Sequence, residues 1–258
     1  LTRRTQKQSN RPLKDTRSGG LNGEPEQSLG IGYEAMKVRT LYMILQTDRP
    51  MQEDATKLRG YIGNRFAGYP LLHHHAETPL LTYPRVQYKV LEGTPAILGI
   101  EEGATILKEI SDEITELALH ARTYQVTRKV MYEQTVEIGA TRRPVQYRFL
   151  SPWLALNSRN YEEFRSIDDW SEKKQFLNAI LIGNILSLAK GLGIVIDRRL
   201  YTHSRLDAMR TRYKGIGMTG FSGEFRINVC LPDYIGIGKG VSQGFGTLYR
   251  VSSSDTAG

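Results

Sequence analysis

The sequence predicts an α+β protein made of two ferredoxin-like (RRM-like) domains in tandem. In the first half, β-prone and helical runs follow one another as strand, helix, two strands, helix, strand. In the second half, one long and densely apolar helix stands between β-like runs. The chain has 258 residues, 40% hydrophobic content and 14 tyrosines, which is enough material for two small cores.

Residues 1–35 are polar, contain Gly and Arg, and lack a sustained apolar period. They read as a disordered tail, a linker from an upstream element, or sequence preceding a start at Met36, and they stand outside the predicted fold. From Lys37 to Asp48 the run VRTLYMILQ reads as a buried strand. Asp48 and Pro50 supply helix-start chemistry, and Leu58, Tyr61, Ile62, Arg65 and Phe66 follow at helical spacing. Gly68 and Pro70 stop that helix, and Leu71 to His75 read as a short extended segment. Tyr83 to Leu91 and Ala96 to Ile100 are β-like runs, separated by Glu92-Gly93-Thr94-Pro95 as in a hairpin. Ile106, Leu107, Ile110, Ile114 and Leu117 mark a second amphipathic helix. The β-rich stretch Thr123 to Ile138 closes this first domain, residues 36–139.

The second domain, residues 140–258, opens where Gly139-Ala140-Thr141-Arg142-Arg143-Pro144 breaks the β pattern. Val145 to Leu150 is β-like, a loop rich in Asn, Arg and Glu follows, and Ser171 to Leu192 is a long helix. Thr211 to Met218 and Phe221 to Leu231 are the next β-like stretches. A glycine-rich run from Gly236 to Gly246 leads into a last strand, Thr247 to Val251. No repeat between the two halves can be aligned.

Lys and Arg number 35 against 27 acids, a net charge of +8. That surplus suits an anionic partner, nucleic acid first, although a generally basic protein fits it equally well. The single cysteine, Cys230, excludes an internal disulfide framework and a cysteine-rich zinc site. Its neighbours alternate at period 2, so it reads as a strand residue. No apolar run approaches the roughly 20 residues of a membrane helix. No secretory signal is visible, which makes the cytoplasm the default expectation.

Three segments carry chemistry. In Leu71-Leu72-His73-His74-His75, an extended backbone would place His73 and His75 on one face and His74 on the other. Two imidazoles suit metal-free RNA cleavage: one takes the proton of a ribose 2′-OH, the other protonates the departing 5′-oxygen or stabilises the charged phosphorane. A metal site needs further ligands than His-x-His, and ordinary surface histidines remain an alternative; the run is short and internal, unlike a purification tag. The second segment, Gly236 to Gly246, holds five glycines in eleven residues and Lys239. Its backbone N–H groups can approach phosphates closely. It matches neither a P-loop nor a dinucleotide-binding loop, and a turn serving packing alone competes with the phosphate reading. The third, Asp197 to Lys214, carries Arg198, Arg199, Arg205, Arg210, Arg212 and Lys214, interleaved with His203 and Tyr213. Cations with aromatics suit an RNA backbone and unstacked bases, though such runs also serve simply as solvated faces.

In this order the segments resemble the CRISPR-associated precursor-RNA endoribonucleases, in the subgroup with a Leu-Leu-His-x-His motif. The resemblance spans about Met36 to Val251. It rests on Leu71-Leu72-His73-His74-His75, Tyr83-Pro84-Arg85-Val86-Gln87-Tyr88-Lys89, Gly99-Ile100-Glu101-Glu102-Gly103 and Ser151-Pro152-Trp153-Leu154-Ala155-Leu156-Asn157. The closing loop with Gly244-Phe245-Gly246 is the mark of the wider family. The resemblance implies two ferredoxin-like domains, no cofactor or metal, and cleavage of CRISPR repeat RNA by His73 and His75. Tyr83 and Arg65 are the expected helpers. Gly238, Lys239, Gly240, Gly244, Phe245 and Gly246 are expected to hold RNA with the basic segment. Implied partners are precursor and mature CRISPR RNA, and effector-complex subunits or a fused upstream module. His74 fills the variable slot, and residues 1–35 fall outside the pattern. A non-catalytic RNA-binding subunit is the rival reading, and retention of both motif histidines argues against it. A metal-dependent nuclease or phosphatase is the other rival, supported only by Glu101-Glu102 and Asp168-Asp169.

Overall fold

The computed structural model describes residues 35–73, 83–120 and 122–252. The first unit runs through strand β1 (Met36–Thr47), helix α1 (Ala55–Arg65), the one-turn helix α2 (Pro70–His73), strands β2 (Val86–Leu91) and β3 (Thr94–Ile100), helix α3 (Glu102–Ile110) and strand β4 (Glu116–Leu119). It ends in the first half of β5 (Arg122–Phe149), a strand of 28 residues. Asp54 starts α1 by accepting hydrogen bonds from the backbone N–H groups of Thr56 and Lys57. Glu92 and Gly93, with φ of 50° and 77°, make the two-residue turn that joins β2 to β3. The strands pair antiparallel in the order β2-β3-β1-β5, that of a ferredoxin-like unit. One face of this sheet, with Leu41, Met43, Leu45, Tyr88 and Ile97, is covered by Leu58 and Ile62 of α1 and Leu107 of α3.

The second unit repeats the order. It comprises the end of β5, helices α4 (Ser158–Ser166) and α5 (Trp170–Gly191), and strands β6 (Thr202–Tyr213), β7 (Ile216–Cys230) and β8 (Leu248–Arg250). The path β2-β3-β1-β5-β7-β6 is continuous, and β8 flanks the end of β5. β5 therefore closes the first unit and opens the second. Helix α5 buries Leu177, Leu181, Ile185 and Leu188 with Tyr147, Trp153, Phe225 and Ile227. Each such side chain contributes about 1.5–3 kcal/mol on full burial. The other face of the first sheet, with Val38, Tyr42, Leu98 and Ile100, joins this same core. Between β7 and β8, where a ferredoxin-like unit carries its second helix, this chain has only a 3₁₀ turn, Val241–Gln243, inside the glycine-rich run.

Several expectations are corrected. Leu71 to His73 are helical rather than extended, because Pro70 supplies a pre-set φ at the first position of a new turn. The second helix stops at Ile110, and Leu117 lies in β4, paired with Tyr124. Ile114 and Leu117 keep helical spacing only by coincidence of a turn and a short strand, both buried. The expected break at 139–144 is a register shift inside β5, between Ala140 and Val145, and not a strand end. Pro144 has no N–H to give the ladder, so the chain loops out locally and then resumes pairing. The polar stretch after Asn157 is helix α4, capped by the Asn157 side chain on the Asn160 N–H at 2.8 Å. The β-like stretch Thr211 to Met218 is cut by Lys214 and Gly215, whose φ of 51° and 78° turn β6 into β7.

Candidate functional site

His73 closes α2 and is half-buried. Its ring lies over Gly63 of α1, where an added methyl group would stand 2.7 Å from Nδ1. Gly63 thus leaves the space the imidazole occupies. The His73 carbonyl accepts a hydrogen bond from the Arg59 guanidinium, and the Leu72 carbonyl accepts one from the Tyr88 hydroxyl at 3.0 Å. Helix α1 is the platform of the motif, and strand β2 is its tether. His74 and His75 lie outside the described residues. The helical start means that strand alternation does not govern the direction of His73.

Arg65 lies in the last turn of α1 and donates to the Tyr61 hydroxyl and the Glu113 carbonyl, each at 2.8 Å. The arginine bonded to the histidine motif is Arg59, one turn and a half earlier, which the sequence reading passed over. Its signal was available: Arg59 and Gly63 are four apart, so they share the helix face that also carries Ala55. Tyr83 faces the second unit. Its hydroxyl donates to the Gly236 carbonyl and accepts from Gln87 Nε2 at 2.8 Å. Burial pushes the phenol above its ordinary value, so it stays protonated.

The glycine-rich run sits on β2 through several contacts. Gln87 Oε1 accepts from the Gly236 N–H at 2.9 Å. Gly244, with φ of 86°, comes so close that a methyl group there would stand 2.8 Å from Ala55 Cβ and 3.1 Å from the Tyr88 carbonyl oxygen. Tyr88 therefore touches both candidate segments, the histidine motif with its hydroxyl and the glycine loop with its carbonyl. Beside it, Lys89 is fully buried, and its ammonium donates to Gln87 Oε1 at 3.3 Å. Burial pulls its pKa down to about 7.

The glycine loop also meets the tip of the β6–β7 hairpin. Lys239 Nζ lies 5.1 Å and Lys214 Nζ 5.7 Å from the centre of the Tyr213 ring. Phe245 meets that ring edge-on at 5.7 Å, and Gly240 packs against both aromatics. Gly238 packs against the Trp153 indole, whose Nε1 donates to Asn184 at 3.0 Å. Gly246 folds back on Ile237. Two segments that read as separate in the sequence thus meet at Tyr213. The remaining cations are spread out. Arg210 and Arg212 alternate to one face of β6 and Arg205 to the other. Arg198 and Arg199 are exposed before β6, with Arg199 stacked over Tyr201 at 5.5 Å. Among the described residues, no three His, Cys, Asp or Glu side chains converge as a metal site. No helix among them is long and apolar enough to cross a membrane.

A tandem ferredoxin-like pair, tied by a glycine-rich loop laid against the strand after a histidine motif, places this chain in the class of CRISPR-associated repeat-processing endoribonucleases. Comparison with known proteins specifies it further. The family model of the Cas6b N-terminal domain matches residues 36–137, and that of the Cas6b C-terminal domain matches residues 139–251. A crystal structure of Cas6b superposes with a TM-score of 0.78 at 33% identity, covering 84% of this chain and 100% of that one. A crystal structure of the CRISPR RNA processing endoribonuclease Cas6b gives 0.69 at 30% identity, with the same 84% and 100% coverage. An uncharacterized protein of Methanocaldococcus jannaschii is 39% identical over 144 residues, 55% of this chain and 97% of that protein. The chain belongs to the Cas6b family.

Proposed function

We propose that this protein cuts CRISPR precursor RNA within its repeats, without a metal ion, by attack of a ribose 2′-OH on the adjacent phosphate. The observation that carries the reading is the double engagement of Tyr88, whose hydroxyl donates to the histidine motif at Leu72 and whose carbonyl lies against Gly244 of the glycine loop. His73 and His75 act as the acid–base pair. One takes the 2′-OH proton as the new O–P bond forms, and the other gives a proton to the 5′-oxygen as its bond to phosphorus breaks. The products are a 2′,3′-cyclic phosphate and a 5′-hydroxyl. Arg59, bonded to the His73 carbonyl, fixes the end of α2 and is a positioning residue. Tyr83 and Lys239 serve the docking of the glycine loop and the holding of RNA, and Arg65 is the more distant helper. Precursor and mature CRISPR RNA are the partners of this reading. Effector-complex subunits are further partners if the product stays bound.

The test is incubation with the repeat RNA of the same genome, with and without EDTA. Cleavage is expected in both, with cyclic phosphate ends. His73→Ala and His75→Ala should each slow it by about 10² to 10⁴-fold with RNA affinity retained, and His74→Ala much less. A 2′-deoxy substitution at the cut site removes the nucleophile and should abolish cutting. Efficient cleavage of the deoxy substrate would mean that water attacks, and the mechanism would have to be abandoned.

A further inference from the structure

The second unit carries a cleft that none of the segments above explains. It has a volume of about 260 Å³ and lies between the start of α5 and the edge strand β6, lined by Trp170, Lys173, Lys174, Leu177, Ser204, Arg205 and Leu206. Among the described residues β6 ends the sheet, and no strand of theirs pairs with its outer backbone edge. Trp170 is 71% exposed, a large aromatic surface left in water beside a cleft whose other walls are three cations, Lys173, Lys174 and Arg205, together with Leu177, Ser204 and Leu206.

Among the described residues, Lys173, Lys174 and Arg205 form no ion pair. In the strand register Arg205 stands opposite Glu224, the natural cross-strand partner. Glu224 is committed elsewhere, to Arg148 at 3.2 Å and Gln146 at 2.7 Å. Among the described residues, the Arg205 guanidinium makes no ion pair. Lys174 Nζ lies 3.1 Å from His203 Nε2, and Lys173 Nζ sits over the Trp170 ring at 5.2 Å and the Phe164 ring at 5.5 Å. None of the lining residues is acidic, and Asp169, the neighbour of Trp170 in sequence, caps α5 by accepting from the Glu172 N–H at 2.9 Å. An exposed indole beside ammonium and guanidinium groups that form no ion pair is the combination that holds single-stranded nucleic acid: a flat face for a base and donors for the phosphates beside it.

We infer that this cleft is a binding subsite for an unpaired nucleotide of the RNA, with its base stacked on Trp170 and its phosphates held by Lys174 and Arg205. The inference rests on the RNA-cleaving reading and adds to it a contact on the second unit, apart from the histidine motif and the tip of the hairpin. Arg205 faces away from Arg210 and Arg212, so RNA reaching it turns round the β6 edge.

The two tryptophans allow a direct test. Trp153 is fully buried, so quenching of indole emission by added RNA reports Trp170. Hexauridylate and the repeat RNA are titrated separately against the full chain, and quenching is expected with both. Trp170→Ala should weaken repeat-RNA binding by about 5- to 150-fold, while Trp170→Phe keeps most of the affinity. Lys174→Ala and Arg205→Ala should each lower the slope of log affinity against log salt by about 0.7, the single-strand value. Repeat RNA that is cut by the protein but bound equally well by Trp170→Ala overturns this inference and leaves the cleavage reading standing. That result would hand the cleft to an acidic protein partner. Absence of quenching by hexauridylate overturns it as well. Failure to cut any repeat RNA, with quenching by hexauridylate intact, sinks the cleavage reading and keeps the subsite.

Discussion

Lys89 is a charged residue type held at 0% exposure with one long hydrogen bond, at 3.3 Å, and it makes the folded state sensitive to pH. Its pKa falls from 10.5 to about 7 on folding, by burial. Between those values the unfolded chain carries a proton that the folded chain lacks, so stability rises with pH across this window. It falls as pH drops toward 7 and levels off below. Lys89→Met should flatten this dependence, and at pH 6 it should raise the thermal midpoint by at least about 2–4 °C, the shift of one kcal/mol in a chain of this size. An unchanged difference between the two proteins from pH 6 to 10 would show that Lys89 is not the group responsible. Little of this was legible beforehand. Gln87, Tyr88 and Lys89 belong to a recognisable run, but a polar residue in a strand ordinarily faces water, and the glycine loop that meets Gln87 and Lys89 arrives from more than a hundred residues away. The histidine motif is the converse case. His73 was found from its residue type, while its helical backbone and its contact with Arg59 depend on Pro70 and on packing against α1.

At the scale of elements, the glycine loop replaces a helix, and its shape depends on residues with no side chain at particular points. Gly246 has φ of 62°, and a methyl group there would stand 2.0 Å from the Ile237 carbonyl oxygen. Both backbone strain and a backbone clash oppose Gly246→Ala, which should cost about 2–5 kcal/mol. Gly193, after α5, has φ of 77° but open space around it. Gly193→Ala should cost only the conformational part, about 1–2 kcal/mol. Urea titration of the two variants measures both, and equal costs would mean that the close approach in the loop is absent. The elements themselves were legible where one signal dominated. β1, the β2–β3 hairpin and α5 follow from dense apolar runs with clear ends. Helix α1, by contrast, starts at its Asp54 cap and not at Asp48 or Pro50, because the Asp54 side chain is the one that accepts from the first free N–H groups. Periodicity over-extends α3 because Ile110, Ile114 and Leu117 keep a helical interval across a turn, and it hides α4 because the surface of that helix is polar almost all round. In the second case the Asn157 cap was the better guide.

For the whole molecule the decisive feature is the shared strand. β5 contributes Tyr124 to the first core and Tyr147 to the second, and Val38, Tyr42 and Leu98 of the first unit lie in the second core. The tandem fold could be anticipated from the order of elements; this sharing could not, since residues 139–144 carry the signals of a boundary. Unfolding followed by calorimetry and by near-UV absorption of the tyrosines should therefore give one coincident transition. Two separated transitions would mean that the units melt independently across β5. The same arrangement shapes RNA binding. Lys214 and Lys239 come from different segments yet share the Tyr213 ring, and Arg210 and Arg212 lie along the strand that leads to them. Arg198 and Arg199 precede β6, near Tyr201 and away from that tip. If the tip is the phosphate-binding surface, the quadruple variant Arg210→Ala, Arg212→Ala, Lys214→Ala, Lys239→Ala removes up to four phosphate contacts. It should lower the slope of log affinity against log salt by about 3 to 4 units for repeat RNA. Arg198→Ala with Arg199→Ala should change it by less than one. Equal slopes for the quadruple variant and the unaltered protein, measured from about 50 to 200 mM salt, would show that the tip cations are a solvated face and that RNA runs elsewhere.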